Sequence, residues 1–456
     1  MREVKENKMA TMPVNKLLLS MAVPMMLSML VQSLYNIVDS IFVAQIDPAG
    51  DLIKPAFTSI SLVFPLQSFL ISIGSGLGVG INALLSRYLG AKDSDGVNKT
   101  ALNGLCLVFC GYLIFLLIGI FGVHTFMSFQ TTDAKTIQYG TDYLRVICIF
   151  SFGMYAQMTF ERLLQSTGKT MFSMVTQMTG AIINIILDPI LIFGLFGMPR
   201  LEMMGAAIAT VIGQITAACL AIFFNLKFNT EIPFDIKGFR PNFHTITKIL
   251  YIGVPSILMA SIGSVMTLGM NKILIGFSSI AVAVFGAYFK LQSFIFMPVF
   301  GLNNGMVPIV AFSLGARNKE RLIKTVKYSM LYAFILMLIG FSIFQLMPDK
   351  LLLMFNADEN MLSMGVPALK TISFSFLVAG FCIILLSVFQ ALGNGILSMF
   401  VSFARQLVFL LPSAYLLSKT GNVNNVWFAF LIAEVASVSL SVLGFRHMYK
   451  KVISKL

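Results

Sequence analysis

The chain has 456 residues, 57% hydrophobic and 11% charged, with a mean hydropathy of +0.87. Soluble domains carry about 25% charged residues, so the composition excludes an ordinary soluble fold and points to an integral membrane protein. The net charge of +13 does not read as nucleic-acid binding, because the basic residues sit in short connections between apolar runs.

Apolar runs long enough to span a bilayer fall near 16–44, 56–89, 100–122, 137–160, 172–197 and 204–226. A polar linker over 227–248 follows, and six more runs lie near 249–277, 281–314, 323–347, 366–391, 396–418 and 424–446. The runs are continuous, which excludes the alternating ten-residue segments of a membrane β-barrel. The expected fold is an all-α polytopic membrane protein with twelve transmembrane helices in two pseudo-symmetric six-helix lobes. Its expected parts are an N-terminal lobe (1–226), a cytoplasmic linker (227–248) and a C-terminal lobe (249–456). The basic N-terminus precedes a run far longer than a signal-peptide core, so no cleavage is expected.

The first run, Leu17 to Ala44, carries Pro24 near one end and then Gln32, Tyr35, Asn36 and Asp39. These four are spaced i, i+3, i+4 and i+7, one polar stripe on an otherwise apolar helix. Interhelical hydrogen bonding explains Gln32 or Asn36, but an ionisable carboxylate at that depth costs about 2.5–3.5 kcal/mol and points to function. In the fifth run, Asn184 and Asp188 lie one turn apart, followed by Pro189. Proline has no N–H, so the Ile185 carbonyl loses its helical partner. A carboxylate, an amide and a freed carbonyl supply oxygens for a small cation, or a pocket that takes a proton. The alternative for Asp188 is a cap on a broken helix. Thr210, in the sixth run, adds a hydroxyl.

The two halves repeat at offsets of 225 to 231 residues. Leu89 to Lys92 (LGAK) answers Leu314 to Arg317 (LGAR), and Val23-Pro24 answers Val254-Pro255. Gln165 to Gly168, with Ser173 after it, answers Gln390 to Gly393 with Ser398. Six helices per half make this a parallel repeat, which implies two lobes and a cleft. The second half lacks the acids. Asn271 stands near the position of Asp39, and Lys272, Lys290 and Arg405 are its buried-looking charges, free either to snorkel or to pair. Glu161, Arg162 and Glu434 are expected in structural ion pairs or hydrogen bonds.

Of the 32 Lys and Arg residues, 22 lie on the side that holds both termini and six on the other, Lys54 among the six. The positive-inside rule then places both termini in the cytoplasm. A bacterial cell membrane is the expected location.

Several chemistries are missing. The Gly168-Lys169-Thr170 triplet has Leu163 where a phosphate-binding loop needs glycine, so ATP hydrolysis is not expected. Gly74 to Gly80 lies within a span and suits close helix packing better than a dinucleotide. His124, His244 and His447 are scattered, and the five cysteines read as small core fillers. No cofactor is expected. The 42 Phe and 29 Met residues are mostly packing material, with some Met expected to line an adaptable substrate cleft.

Val-Pro followed by Q-x-x-Y-x-x-x-D in the first helix, N-x-x-x-D-P in the fifth and the paired LGA-base motifs resemble the multidrug and toxic compound extrusion (MATE) family over essentially the whole chain. The resemblance implies an antiporter that exports lipophilic organic cations in exchange for H⁺ or Na⁺. It implies a cation site of Asp39, Asn184, Asp188 and Thr210, with Gln32, Tyr35 and Asn36 beside it. Asp39, Asn184 and Asp188 would hold a metal ion only under Na⁺ coupling. Pro24 matches the position at which the first helix is proposed to bend, and Pro189 is a second flexure. A monomer in the lipid bilayer, with no nucleic-acid partner and no enzymatic activity, is expected. The alternative is a flippase for a lipid-linked precursor, for which Lys272, Lys290 and Arg405 would supply cationic groups.

Overall fold

A computed structural model describes residues 7–46, 55–355 and 357–456; Lys54 lies outside them. The regular secondary structure of the described residues is all helical, with no strand among them. In chain order the helices are α1 (Lys8–Thr11), α2 (Val14–Ala44), α3 (Pro55–Gly90), α4 (Ser94–Leu117), α5 (Val123–Gln130), α6 (Ala134–Ile149), α7 (Phe152–Ser166), α8 (Thr170–Phe193) and α9 (Glu202–Phe228). Next come α10 (Phe243–Leu274), α11 (Ser279–Gly315), α12 (Lys319–Leu346), α13 (Pro348–Leu353), α14 (Glu359–Ser373) and α15 (Phe376–Ala391). The last are α16 (Gly395–Phe403), α17 (Leu411–Ser418), α18 (Val423–Val426) and α19 (Phe428–Lys451). Two π-helical segments, Ile118–Gly122 and Ala404–Leu410, join α4 to α5 and α16 to α17.

Ten helical spans among the described residues are long and apolar enough to cross a bilayer, and the bent pair α14–α15 makes an eleventh. The remaining predicted run, 137–160, forms α6 and α7, which carry Asp142, Arg145, Glu161 and Arg162. Both irregular runs break in the same way. The Ser151 hydroxyl donates to the Cys148 carbonyl at 2.8 Å, and the Ser375 hydroxyl to the Ile372 carbonyl at 2.7 Å. A serine side chain that bonds back to the preceding turn competes with the helical ladder and permits the bend, which is 50° between α14 and α15.

The sequence repeat recurs in the backbone. Lys92 and Arg317, the bases of the two LGA motifs, both adopt left-handed conformations, with φ of 58° and 53°. The next residue then caps the following helix. Asp93 accepts from the Gly96 N–H at 2.9 Å, and Asn318 accepts from the Arg321 N–H at 2.9 Å. Gly168 and Gly393, at φ of 86° and 84°, end α7 and α15 alike.

The chain divides into two compact units. One comprises Leu27–Leu89 with Asp93–Gly253, and the other comprises Met1–Met26, Gly90–Lys92 and Val254–Leu456. The change of unit falls two residues after Pro24 in α2 and two residues before Pro255 in α10. Glycine makes these memberships possible. In the second unit, a Cβ on Gly301 or Gly305 of α11 would lie 2.5 Å from the Met26 backbone or 2.7 Å from that of Ala22. In the first unit, a Cβ on Gly253 would lie 3.1 Å from the Gly76 carbonyl oxygen, so the glycine-rich stretch of α3 serves close helix packing.

The linker is tied to the first unit. Asn98 and Asp235 exchange two hydrogen bonds at 2.9 and 3.0 Å, the Asn242 N–H donates to Asn103, and Lys169 pairs with Glu231. Buried aromatics anchor each core, Phe115 and Tyr155 in the first unit and Tyr288, Phe344, Phe376 and Trp427 in the second. Large apolar side chains such as Leu117, Phe121 and Leu226 are exposed, as a bilayer-facing surface requires. All five cysteines are free. Cys148 and Cys382 fill the core as expected, whereas Cys110 and Cys219 are exposed on helix surfaces.

Candidate functional site

The candidate site lies wholly within the first unit and is built on α2, α6, α8 and α9. Close packing of α8 on α9 sets its geometry. A Cβ on Gly213 would lie 2.6 Å from the Gly180 carbonyl oxygen and 3.4 Å from the Asn184 Cβ. With hydrogen in both glycine positions, the helices approach until Asn184 reaches across to α9. The Asn184 amide Nδ2 donates to the Thr210 hydroxyl at 3.2 Å and to Asp188 Oδ1 at 3.3 Å. Asn184 is 3% exposed and Asp188 0%. Pro189 lies inside α8, which runs on to Phe193, where Gly194 in the left-handed region ends it.

From α2, Asp39 and Tyr35 lie within electrostatic reach of Asp188, so the predicted carboxylates are brought together. Gln32 and Asn36, on the same predicted stripe, are exposed. Three buried oxygens accept no hydrogen bond, namely Asp39 Oδ1, Asp188 Oδ2 and Asn184 Oδ1. The large majority of buried side-chain polar atoms have a hydrogen-bond partner, so three unsatisfied oxygens on neighbouring residues require an explanation. No ion pair among the described residues includes Asp39 or Asp188. Two like charges with no basic partner, in a low-dielectric interior, repel each other and attract a small cation or a proton. The donors gathered here are carboxylate, amide and hydroxyl oxygens, which are hard ligands and not thiolate or imidazole.

Two neighbours, Tyr143 and the Gln67 that bonds it, escape the sequence reading. Tyr143 of α6 is buried within electrostatic reach of Asp39, Tyr35 and Asp188, and its hydroxyl accepts from the Gln67 amide at 3.3 Å. The signal was weak because the fourth run is polar along much of its length, so one tyrosine does not stand out.

The other singled-out charges separate cleanly. Glu161 accepts from Gln157 at 3.0 Å, Thr176 at 2.9 Å and Gln177 at 2.6 Å, a structural hydrogen-bond network. Arg162 donates to Gln165 at 2.9 Å. Lys272 and Lys290, read from sequence as buried-looking, are exposed; their long stems let the ammonium groups reach outward from helical positions. Arg405 is paired with Glu434 at 3.1 Å.

A model of the MatE family matches residues 24–190 and 255–416, most of both halves. The chain belongs to the MatE family. The family consists of membrane transporters and not enzymes, so small-molecule transport across a membrane is its business. Among curated proteins, the chain is 26% identical over 427 residues to multidrug export protein MepA of Staphylococcus haemolyticus, covering 94% of this chain and 92% of that one. It is 28% identical over 430 residues to MepA of Staphylococcus aureus, covering 92% and 91%. Among solved structures, the outward-facing conformation of a multidrug resistance MATE family transporter of the MOP superfamily matches with a TM-score of 0.92 over the full length of both chains at 23% identity. A MOP superfamily transporter from Pyrococcus furiosus, described as having a binding pocket of reverse polarity that suggests a different function, matches with a TM-score of 0.90 over 98% of each chain at 22% identity. These likenesses bear out the MATE-like twelve-helix fold.

Proposed function

We propose that this MATE transporter is a cation-coupled antiporter that exports lipophilic, cationic drugs from a bacterial cell, using the Asp39–Asp188 site to bind the coupling ion. The observation that carries the reading is the set of three unsatisfied buried oxygens on Asp39, Asp188 and Asn184. The multidrug export named for the MepA relatives supports the drug substrate class. A proton on either carboxyl, or Na⁺ held between oxygen donors, relieves the repulsion between the two acids. Asn184 positions Asp188 and Thr210, and Tyr143, fixed by Gln67, supplies a hydroxyl beside them. The ion drives transport only through its different affinity for the inward- and outward-facing states. Asymmetry of Lys and Arg in the connections supports both termini in the cytoplasm, and the protein acts as a monomer.

The test uses purified protein in liposomes loaded with a fluorescent lipophilic cation, with a proton or a Na⁺ gradient imposed separately. One gradient is expected to drive dye movement, and Asp39→Asn or Asp188→Asn to abolish it while the protein still inserts and folds. Gradient-driven transport at the wild-type rate in both variants overturns the assignment.

The flippase alternative needs free cationic groups for a pyrophosphate. Arg405 is already neutralised by Glu434, which leaves the exposed Lys272 and Lys290 as the cationic groups that reading would have to use.

A further inference from the structure

The second unit holds a buried ion pair that the proposed transport site does not use. Arg405 lies in the π-helical segment Ala404–Leu410, and Glu434 lies on α19. Arg405 Nη1 donates to Glu434 Oε1 at 3.1 Å, with the side chains only 20% and 14% exposed. Guanidinium and carboxylate groups pair best through two parallel hydrogen bonds. Here a single bond joins them end-on, and both Arg405 Nε and Glu434 Oε2 are buried without a partner.

The surroundings are otherwise well filled. Tyr288 of α11 is buried within electrostatic reach of both charges, and its ring meets Phe430, one turn before Glu434, edge-on at 5.6 Å. Cys382 of α15 also lies within reach of both. Its sulfur is 2.7 Å from the Ser437 hydroxyl and 3.5 Å from that of Ser441, on the same face of α19 as Glu434. Tyr288, Cys382 and Arg405 are therefore the titratable groups facing Glu434. A buried pair that leaves a donor and an acceptor unsatisfied is less stable than an apolar core of the same volume, so stability alone does not account for it.

The backbone supplies the second observation. Arg405 is the second residue of the π-helical stretch, a geometry that is rare and recurs at functional positions. A π turn holds one residue more than an α turn. Rewinding it rotates everything beyond by about 100°, one residue of a 3.6-residue turn. The single hydrogen bond to Glu434 ties this turn to the neighbouring helix.

We propose that Glu434 is an exchangeable proton site in the C-terminal half, with Oε2 as the receiving atom and Arg405 as the counter-charge that holds the π turn in place. A proton from the aqueous phase adds to Oε2, and Glu434 becomes a neutral acid. Arg405 keeps its own proton and is left with no counter-charge. A buried guanidinium cannot remain unpaired, so it withdraws and the 404–410 turn rewinds toward regular α-helix. The device is independent of whether Asp39 and Asp188 bind the transported ion.

The experiment uses full-length protein in lipid nanodiscs and two measurements at acid and alkaline pH. Infrared difference spectra report the carbonyl stretch of protonated carboxyl groups, and hydrogen exchange reports the backbone over 404–418. Wild type is expected to gain a carboxylic-acid band on acidification and to change its protection factors, corrected for the intrinsic pH dependence of exchange, across 404–418. Glu434→Gln is expected to lose one such band and to show the same protection factors over 404–418 at both pH values, whereas Asp39→Asn and Asp188→Asn keep the Glu434 band and the 404–418 response. Should Glu434→Gln not fold with Arg405 unpaired, the double variant Arg405→Gln/Glu434→Gln removes both charges and is read in the same way. Retention of every band and of a pH-dependent protection factor over 404–418 in these variants overturns the proposal, as do protection factors over 404–418 that are the same at both pH values in wild type.

Discussion

At the scale of single residues, the proposed site separates groups assigned to bind charge from groups assigned to position them. Asp39 and Asp188 carry the charge, and removing either is expected to abolish coupling. Thr210 only accepts a hydrogen bond from Asn184. Thr210→Val keeps the shape and removes that acceptor, a loss of about 0.5–1.5 kcal/mol. The expected result is a drop of roughly tenfold or less in apparent affinity for the coupling ion, with maximal transport retained, read from dye efflux against ion concentration. Tyr143→Phe belongs to the same class. It deprives the Gln67 amide of its partner and takes a hydroxyl from beside Asp39, so ion affinity should fall while the protein stays folded. Transport by Tyr143→Phe that matches wild type at every ion concentration would remove Tyr143 from the site.

At the scale of elements, the contact between α8 and α9 at Gly180 and Gly213 places Asn184 within reach of Thr210. Gly213→Ala puts a methyl group 2.6 Å from the Gly180 carbonyl oxygen, so the helices must separate. Overpacking of this kind costs about 1–3 kcal/mol. The expected outcome is a lower melting temperature in detergent together with weaker ion binding, because the same displacement breaks the Asn184 bond. A variant as stable as wild type would show that the two backbones can relax without cost. Pro24 is a second element-scale case. It is buried within α2 and has no N–H to offer the Ser20 carbonyl. Pro24→Ala restores that bond and should stiffen α2, slowing transport without changing insertion, as measured by efflux rate per mole of inserted protein.

At the scale of the whole molecule, a sequence repeat became a backbone repeat. Lys92 and Arg317 share a left-handed conformation, Asp93 and Asn318 share a capping role, and Ser151 and Ser375 share a helix break. Yet chemistry differs between the halves, with two acids and no base in one site and a paired Arg405 and Glu434 in the other. The excess of Lys and Arg on the side of the termini carries a prediction at this scale. A green fluorescent protein fused after Leu456 should fluoresce in cells, whereas an alkaline phosphatase fused there should be inactive. The opposite pair of results would reverse the orientation.

Much of this was legible from the chain alone. Continuous apolar runs compel helices, because no other backbone satisfies its hydrogen bonds in lipid. The repeat, the intramembrane carboxylates and the Asn184–Asp188 turn are local patterns, visible without coordinates because they depend only on order and spacing. Tertiary structure alone decided which of them meet. Gln32 and Asn36 share a stripe with Asp39 but are exposed, while Tyr143, from a run too polar to draw notice, lies beside the acids. Lys272 and Lys290 looked buried by position and are not, because a long stem carries the charge away from its own helix. Arg405 found Glu434, 29 residues on, through the packing of a π turn against α19. Spacing along one helix fixes which residues share a face; which faces meet depends on packing between helices, and that distance does not appear in the sequence.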